Sequence, residues 1–480
     1  MVLYVILSAV ILVFSIENFK GIMYLHWSDV REFLLVLAFM VIFSTALSLY
    51  VAACQPRIVK NHLRGMVLLV TLLIMTAIVR LGVVRGWSAY LIVVPVMIVA
   101  VMMTIAYTQR FALGIGSFLL LVSVLALHEN SELVKHSLGV LFTSGGAMGI
   151  AVLSLREIRS RSKLIQVCLL AAAVVFVMIW LVGLWQGFEY QAIFHDSAKA
   201  AVGAIGVGFA LQGFLPLIEK IFRTATSLTL LDYSEANKPL LRKLAVEAPG
   251  TFNHSLLIGM LAEAAAEASG ASGLLCRVGA YYHDIGKLNK PRYFVENQAE
   301  RFNQHKELSP TMSRMIIIGH VKDGLELARQ YKLPRVLHQF IATHHGTTLV
   351  EYFYHEATKK EAQAGRSVTE TEFRYPGPKP QTREAAIVMF SDAVEGATRA
   401  MQDPTPSRIE NIVEEVGMRR LQDGQFDQCD LTMRELKIIS GSLIKSLCAM
   451  YHSRIAYPKR ETTEKGDKVR LESIKAGDAE

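Results

Sequence analysis

Residues 278–287 read VGAYYHDIGK, and this stretch is the most informative one in the second half of the chain. It sets an imidazole and a carboxylate side by side, at His283 and Asp284, where an apolar helical run ends before Gly286. A nitrogen donor and an oxygen donor held together suit a divalent first-row metal ion. Chance supplies adjacent His-Asp pairs in many proteins, so the interpretation depends on what surrounds this one.

Further donors precede and follow the pair along predicted helices. His254 falls in the first turn of a helix that follows Pro249-Gly250 and has apolar residues at helical spacing. The complete ordered set is His254, His283, Asp284, His320, His344, His345 and Asp392. This set exceeds what one ion needs, and one carboxylate can bridge two ions, so it predicts a binuclear metal centre.

A catalytic role follows for the same residues. Two cations held close together can carry a bridging hydroxide that attacks phosphorus, which makes His283 and Asp284 the central catalytic residues. Lys287, one helical turn further on, can contact a phosphate as a point charge, or can be a solvated helix end. Residues that could contact substrate, or simply form rigid loops, are Arg292, Tyr293, Arg374, Tyr375 and Lys379.

The first half of the chain is predicted to cross a membrane. The apolar fraction of 52% and the charged fraction of 19% suit a membrane protein, and the long apolar runs lie before residue 220. A spanning helix needs about 20 mostly apolar residues. Eight candidate spans are predicted at residues 1–16, 33–54, 65–84, 88–107, 111–127, 138–155, 164–186 and 197–218.

The charge distribution orients these spans. Basic residues gather in the loops after the second and sixth spans, so those loops and the soluble half are placed in the cytosol of a bacterial cell, below its cytoplasmic membrane. Residues 1–16 have no basic n-region and are predicted to be a signal anchor. No charged residue lies at the centre of a span, which argues against a transporter.

Composition narrows the partners. The net charge of +8 is explained by basic loops, and no basic stripe is interleaved with aromatic residues, so neither a DNA nor an RNA duplex is expected. The five cysteines are scattered without a C-x-x-C pair, which excludes a disulfide framework and favours a reducing compartment. Residues 459–480 are charged and are predicted to be disordered.

Longer strings carry a family resemblance. The matching stretches include NKPLLRKLAVEAPGTFNHSLLIGMLAEAAAEASG, RVGAYYHDIGKLNKPRYFVENQ, HHGTT, FRYPGPKPQTREAA and YHSRIAYP. They resemble the HD phosphohydrolase domain of the seven-transmembrane HD family, which includes cyclic di-AMP phosphodiesterases. The likeness runs from about residue 33 to 458 and is strongest after residue 228.

The resemblance implies an all-α fold, in which a transmembrane helical bundle over residues 33–219 precedes a cytosolic, all-helical HD domain over residues 228–458. It implies that His254, His283, Asp284 and Asp392 surround one metal ion. Asp284 would bridge to a second ion held by His320, His344 and His345. The ions would be iron or manganese, the product would be the linear dinucleotide 5′-pApA, and a homodimer is left open.

One departure from the family and three alternatives complete the interpretation. Family members usually carry an extracytoplasmic domain after the first span, whereas only about fifteen residues, 17–31, separate the first two spans here. Either that domain has been lost or the chain begins at an internal start. The alternatives are an HD hydrolase of cyclic di-GMP or pApA, a receptor that binds nucleotide without turnover, and a transporter. Against cyclic di-GMP, HHGTT is not followed by Gly-Tyr-Pro.

Overall fold

The regular structure of the chain is helical. A computed structural model describes residues 2–13, 27–59, 61–127, 131–155, 160–222, 224–298, 304–363 and 366–452. Within these ranges there is no β-strand, and one isolated antiparallel bridge joins Leu349 to Arg374. The predicted all-α class is confirmed. The predicted disorder of residues 459–480 concerns a segment outside the described ranges.

The chain divides into two compact units, the first formed by residues 1–247 and 322–339, the second by residues 248–321 and 340–480. Up to residue 247 the helices are α1 (Val2–Val13), α2 (Trp27–Cys54), α3 (Pro56–Val59), α4 (His62–Val84), α5 (Val93–Ala106), α6 (Gln109–Ala126), α7 (Ser131–Val134), α8 (Ser137–Ser154), α9 (Arg161–Gln186), α10 (Tyr190–Phe222), α11 (Ser227–Tyr233) and α12 (Pro239–Glu247).

Seven helices in the described part of the first unit are long and apolar enough to cross a membrane. They coincide with seven of the eight predicted spans, the third being extended by a 3-10 turn at Ala89–Ile92. The last, α10, is longer than predicted because the helix begins seven residues earlier, at Tyr190, and continues four residues further, to Phe222, with Pro216 inside it. The described part of the first predicted span is the 12-residue α1, shorter than the roughly 20 residues that a crossing needs, and residues 14–16 lie outside the described ranges.

The spanning helices bury one face and expose another. Side chains such as Leu72, Val96 and Ile115 are fully buried between helices. Leu49 and Val202 are 67% and 69% exposed, although both are apolar. Apolar side chains on both faces are what a helix needs when its outer face meets lipid. The seven long helices of the first unit therefore form the membrane domain of a multi-pass protein.

The helices that carry residues of the second unit are α13 (Pro249–Ser269), α14 (Gly273–Tyr282), α15 (Pro310–Gln330), α16 (Arg335–Thr343), α17 (Glu351–Gln363), α18 (Arg383–Arg399), α19 (Pro406–Gln422) and α20 (Met433–His452). At the centre lies α13, which packs against α14, α18 and α20. Its apolar stripe, including Leu261, Ala262 and Ala265, is buried, as helical periodicity predicts.

A glycine brings two of these helices close together. A Cβ added to Gly279 of α14 would lie 2.5 Å from the ring of Phe340 in α16, closer than real Cβ atoms approach. The absence of a side chain at this position lets the ring of Phe340, itself fully buried, pack directly on the α14 backbone. This contact brings the ends of α14 and α16 together, and the predicted donors follow both ends.

Candidate metal centre

The seven predicted donors converge in the second unit. They come from five places in the chain, and their side chains are largely or fully buried. His254 lies in α13, His320 in α15 and Asp392 in α18, while the other four follow the ends of helices: His283 and Asp284 after α14, His344 and His345 after α16. A helix end lets two consecutive side chains point into one space, which a continuing helix does not.

The donors form three groups that could hold a metal ion, with ligand atoms within 4.8 Å of one another in each group. We call His254, His283 and Asp392 the acidic triad, and His320, His344 and His345 the imidazole triad. The third group contains Asp284 together with one histidine from each triad, His283 and His344. Asp284 is thus the carboxylate that the two triads share.

The two oxygens of Asp284 face different triads. Its Oδ1 lies 3.3 Å from His320 Nε2 and 3.5 Å from His344 Nε2. Its Oδ2 lies 3.2 Å from His283 Nε2 and 3.8 Å from His254 Nε2. A carboxylate placed in this way can serve one cation with each oxygen.

Backbone carbonyl groups fix the orientation of three imidazole rings. In each case Nδ1 faces a carbonyl oxygen of the preceding helical turn: His283 faces Ala280 at 2.7 Å, His320 faces Ile317, and His344 faces Ile341 at 3.0 Å. A carbonyl oxygen can only accept a hydrogen bond, so the favourable tautomer carries its proton on Nδ1. Each Nε2 is then an electron-pair donor that points into the cluster.

This tautomer makes the cluster incomplete without a cation. His320 Nε2 and His344 Nε2 lie 3.1 Å apart, and with both protons on Nδ1 two lone pairs face each other. In addition, His283 Nε2 and Asp284 Oδ1 are buried and have no hydrogen-bond partner among the residues that the structure describes. Buried polar atoms are normally satisfied, so these atoms call for a partner of positive charge. The residues therefore fit bound divalent metal ions.

The two triads differ in their electrostatics. Burial alone would lower the pKa of His254, but contacts with Asp392 at 3.1 Å and Glu395 at 2.8 Å raise it to about 9. In the imidazole triad, burial lowers the pKa of His320 to about 3 and takes that of His345 well below its ordinary value. The acidic triad therefore attracts positive charge, whereas these two histidines are neutral donors.

Glu395 is a site residue that the sequence analysis missed. It lies on α18 one turn after Asp392, is 3% exposed, and its Oε2 is 2.8 Å from His254 Nδ1. A carboxylate on the far nitrogen of a histidine orients the ring and increases its basicity toward a metal ion. The signal in the sequence is the spacing of two acids by three residues in DAVE, 392–395, which puts both on one helix face.

Lys287 is bound to carboxylates of the protein. Its Nζ lies 2.7 Å from Asp284 Oδ2 and 2.7 Å from Glu296 Oε1, and 5.0 Å from the centre of the Phe294 ring. Burial alone would lower the pKa of Lys287, but Asp284 and Glu296 raise it above its ordinary value. Glu296 also accepts a hydrogen bond from Thr251 at 3.0 Å, which ties this loop to α13.

Of the predicted substrate contacts in residues 374–379, Tyr375 lies at the cluster. Its ring stacks on His345 with centroids 4.3 Å apart, and its side chain is largely buried. Arg374 instead pairs with Asp423 at 2.9 Å, as well as with Glu370. Lys379 lies 3.6 Å from Asp427.

The other two predicted contacts lie on the loop after the His-Asp pair. Arg292 is exposed, and Tyr293 packs edge-on against His305 with ring centroids 5.7 Å apart. The carbonyl oxygen of Tyr293 lies 2.7 Å from His305 Nε2. His305, in turn, packs on Phe353 of α17.

Membrane-spanning helices followed by a helical unit with clustered imidazoles and carboxylates define the class: a membrane protein with a metal-binding helical domain. Comparison with known families makes this specific. The model described as a 7TM receptor with intracellular HD hydrolase matches residues 26–226, and the HD domain model matches residues 251–397. The chain belongs to this family of seven-transmembrane HD proteins, as the resemblance in its sequence predicted.

Two curated proteins with similar sequences are named cyclic-di-AMP phosphodiesterases. The chain is 40% identical over 378 residues to the cyclic-di-AMP phosphodiesterase PgpH of Bacillus subtilis, covering 78% of this chain and 52% of that protein. It is 44% identical over 259 residues to PgpH of Listeria monocytogenes, covering 54% and 36%. The crystal structure of the L. monocytogenes PgpH HD domain with cyclic-di-AMP is 46% identical, with a TM-score of 0.43, and covers 46% of this chain and 100% of that one. The chain thus spans about half the length of the Bacillus relative and less of the Listeria one.

Proposed function

We propose that this chain is a membrane-anchored, metal-dependent phosphodiesterase that hydrolyses cyclic di-AMP to linear 5′-pApA. The observation that carries the proposal is the convergence of seven donors around Asp284, with buried nitrogen and oxygen atoms that lack partners. The choice of substrate is supported by two relatives that are named cyclic-di-AMP phosphodiesterases and are 40% and 44% identical to this chain.

The proposed centre holds two divalent ions, iron or manganese. The acidic triad and Asp284 Oδ2 would hold one ion, and the imidazole triad and Asp284 Oδ1 the other. Bound in this way, the ions would supply an activated water as nucleophile and would neutralise charge on the phosphoryl oxygens. Asp284 keeps both positions in register, and Lys287 balances part of its negative charge.

The protein also supplies a substrate wall. Tyr375 lies against His345, so its ring can flank a phosphate or a base that enters the imidazole side of the cluster. Arg374 and Lys379 already contact carboxylates of the protein. We therefore propose that these two side chains shape the wall, and that they contact substrate only when they exchange their carboxylate partners for it. Arg292 and Tyr293 are proposed to contact the outer part of the substrate.

We place the protein in the cytoplasmic membrane of a bacterial cell with the HD domain in the cytosol. Lys and Arg residues concentrate in the loops after the second and sixth predicted spans, which the positive-inside rule assigns to the cytosol. A lipid bilayer would cover exposed apolar side chains such as those of Leu49 and Val202.

Product analysis tests this proposal. The purified full-length chain, in detergent and loaded with manganese or ferrous ion, is incubated separately with cyclic di-AMP, cyclic di-GMP and pApA, and the products are separated by chromatography. We expect cyclic di-AMP to be consumed fastest, pApA to accumulate, and a His283→Ala/Asp284→Ala variant to be inactive. Faster hydrolysis of another nucleotide would reassign the substrate, and binding of metal and nucleotide without any product would indicate a receptor.

A further inference from the structure

Within the described ranges, Arg420 is a cation without a carboxylate partner, and it lies on the helix next to the candidate centre. It lies in the last turn of α19 and is partly buried, and its Nε is buried with no hydrogen-bond partner. Among the residues that the structure describes, no carboxylate oxygen lies within ion-pair distance of its guanidinium. Burial accordingly lowers the pKa of Arg420. An arginine stays protonated even so, and a buried charge without a counterion is costly.

The acids near Arg420 are already engaged. Glu351 pairs with the neighbouring Arg419 at 3.0 Å. Asp423 pairs with Arg374 at 2.9 Å and accepts a hydrogen bond from Gln425 at 2.8 Å. The positive charge of Arg420 is therefore not neutralised locally and is available to an anion that enters from outside.

Hydrogen bonds hold this part of the chain against the imidazole triad. Gln425 N donates to the carbonyl oxygen of Arg420 at 2.9 Å. The side chain of Gln425 accepts from Thr347 N at 2.9 Å and donates to Thr347 Oγ1 at 2.8 Å. Thr347 is two residues after His345, so the end of α19 is pinned to the turn that carries His344 and His345 of the imidazole triad.

The charges around Arg420 indicate the space that it faces. Burial lowers the pKa of Arg420, and the negative charge of Asp392, a member of the acidic triad, is the first of the charges that oppose this lowering. Arg420 in turn acts on the hydroxyl of Tyr375, as do Lys287 and Asp284. Tyr375 stacks on His345, and the hydrogen bonds of Gln425 hold the end of α19 beside the turn that carries this histidine, so Arg420 lies next to the same part of the centre. Lys287 forms ion pairs with two carboxylates there, whereas Arg420 forms none with the described residues.

We propose that Arg420 is a substrate-binding residue whose guanidinium holds a non-bridging oxygen of a substrate phosphate next to the imidazole triad. This inference rests on the proposed function, because it takes a phosphodiester as the ligand of the centre. The planar guanidinium matches the oxygens of a phosphate in pairs, and a charge-assisted contact of this kind is stronger than a neutral hydrogen bond.

Kinetics of matched variants test the inference. Arg420→Gln and Arg420→Met are compared with Arg419→Gln, which removes the neighbouring surface arginine, in the metal-loaded full-length chain. We expect KM for cyclic di-AMP to rise by about tenfold or more in both Arg420 variants, with kcat changed less than about threefold and the metal content unchanged. Arg420→Lys keeps the positive charge but not the planar, forked set of guanidinium donors, so its KM should lie between those of the wild type and the other two Arg420 variants. Arg419→Gln should behave like the wild type.

A second measurement separates this inference from the choice of substrate. Inorganic phosphate is added to the same metal-loaded proteins, and the shift of the unfolding temperature is measured. We expect phosphate to stabilise the wild type and Arg419→Gln clearly more than Arg420→Gln. If the wild type does not hydrolyse cyclic di-AMP but this difference is present, the substrate assignment fails and the anion site stands. An unchanged KM together with an unchanged phosphate response, or a loss of metal or of folding in both Arg420 variants, would overturn the role of Arg420.

Discussion

The two triads of the centre use the same kind of ring in opposite surroundings. In the acidic triad, Asp392 and Glu395 contact His254 and raise its pKa. In the imidazole triad the rings pack on one another and on Tyr375, and burial lowers the pKa of His320 and His345. The comparison shows two ways in which a protein can make an imidazole site favourable for a cation. Neighbouring carboxylates can supply negative charge, or burial away from water can keep the imidazole neutral.

The largest expected effect comes from the residue that the triads share. We expect Asp284→Ala to lower hydrolysis of cyclic di-AMP by at least about a thousandfold and to release metal from both triads, because each loses its shared carboxylate oxygen. Elemental analysis and product formation measure both effects. Glu410→Ala, which removes an exposed carboxylate of α19, is the control. Full metal content in Asp284→Ala would mean that the triads are independent sites.

Lys287 belongs to neither triad, and its removal tests whether its partners need a counterion. Lys287→Met leaves Asp284 and Glu296 buried without a cation, so we expect the free energy of unfolding of the second unit to fall by about 3 kcal/mol. Hydrogen exchange of α14 amides in the metal-free protein reports on this unit. Lys360→Met, at an exposed lysine of α17, should have no such effect, and Lys287→Met/Glu296→Gln should recover part of the stability. If the exchange rate of these amides does not change, the interpretation of Lys287 as a phosphate contact is favoured instead.

A change at Glu395 should affect the triads unequally. Glu395→Gln keeps the shape of the side chain but removes the charge next to His254, so we expect about 10- to 100-fold weaker metal binding at the acidic triad. Competition with a chelator should resolve one weakened and one unchanged ion. Glu414→Gln, an exposed position on α19, is the matched control. Equal weakening of both ions would remove the distinction between the triads.

The smallest expected effect is on the stacked ring of the imidazole triad. Tyr375→Leu removes the ring that lies on His345, and aromatic contacts of this kind correspond to about a three- to tenfold change in affinity. We expect that loss for the metal ion of the imidazole triad alone, with Tyr375→Phe close to wild type. Tyr352→Leu, at an exposed tyrosine of α17, serves as control. A larger loss in Tyr375→Phe than in Tyr375→Leu would make the hydroxyl group the important feature.

The sequence predicted the donors and the spans because both follow from local pattern. Apolar periodicity located the helices, and the histidines stand out where the helices end. The role of Glu395 was not predicted, because two acids one helical turn apart are also typical of a solvated helix face. Arg419 and Arg420 are adjacent and chemically identical. Arg419 pairs with Glu415 of its own helix and with Glu351 of α17, whereas among the described residues tertiary packing leaves Arg420 without a carboxylate. Likewise, the alternatives for Lys287 could not be separated, because its partner Glu296 lies nine residues away in a separate 3-10 turn, Val295–Asn297.

The end of α16 has a consequence for how long a cation stays. His344 and His345 follow its last turn, which is closed by backbone hydrogen bonds from His344 N to Phe340 O and from Gly346 N to Thr343 O. Opening of this one turn would swing both rings away together, so escape of the ion follows a fraying event of the helix. The residence time of a bound cation would then depend on the opening of this turn as well as on its individual bonds to nitrogen.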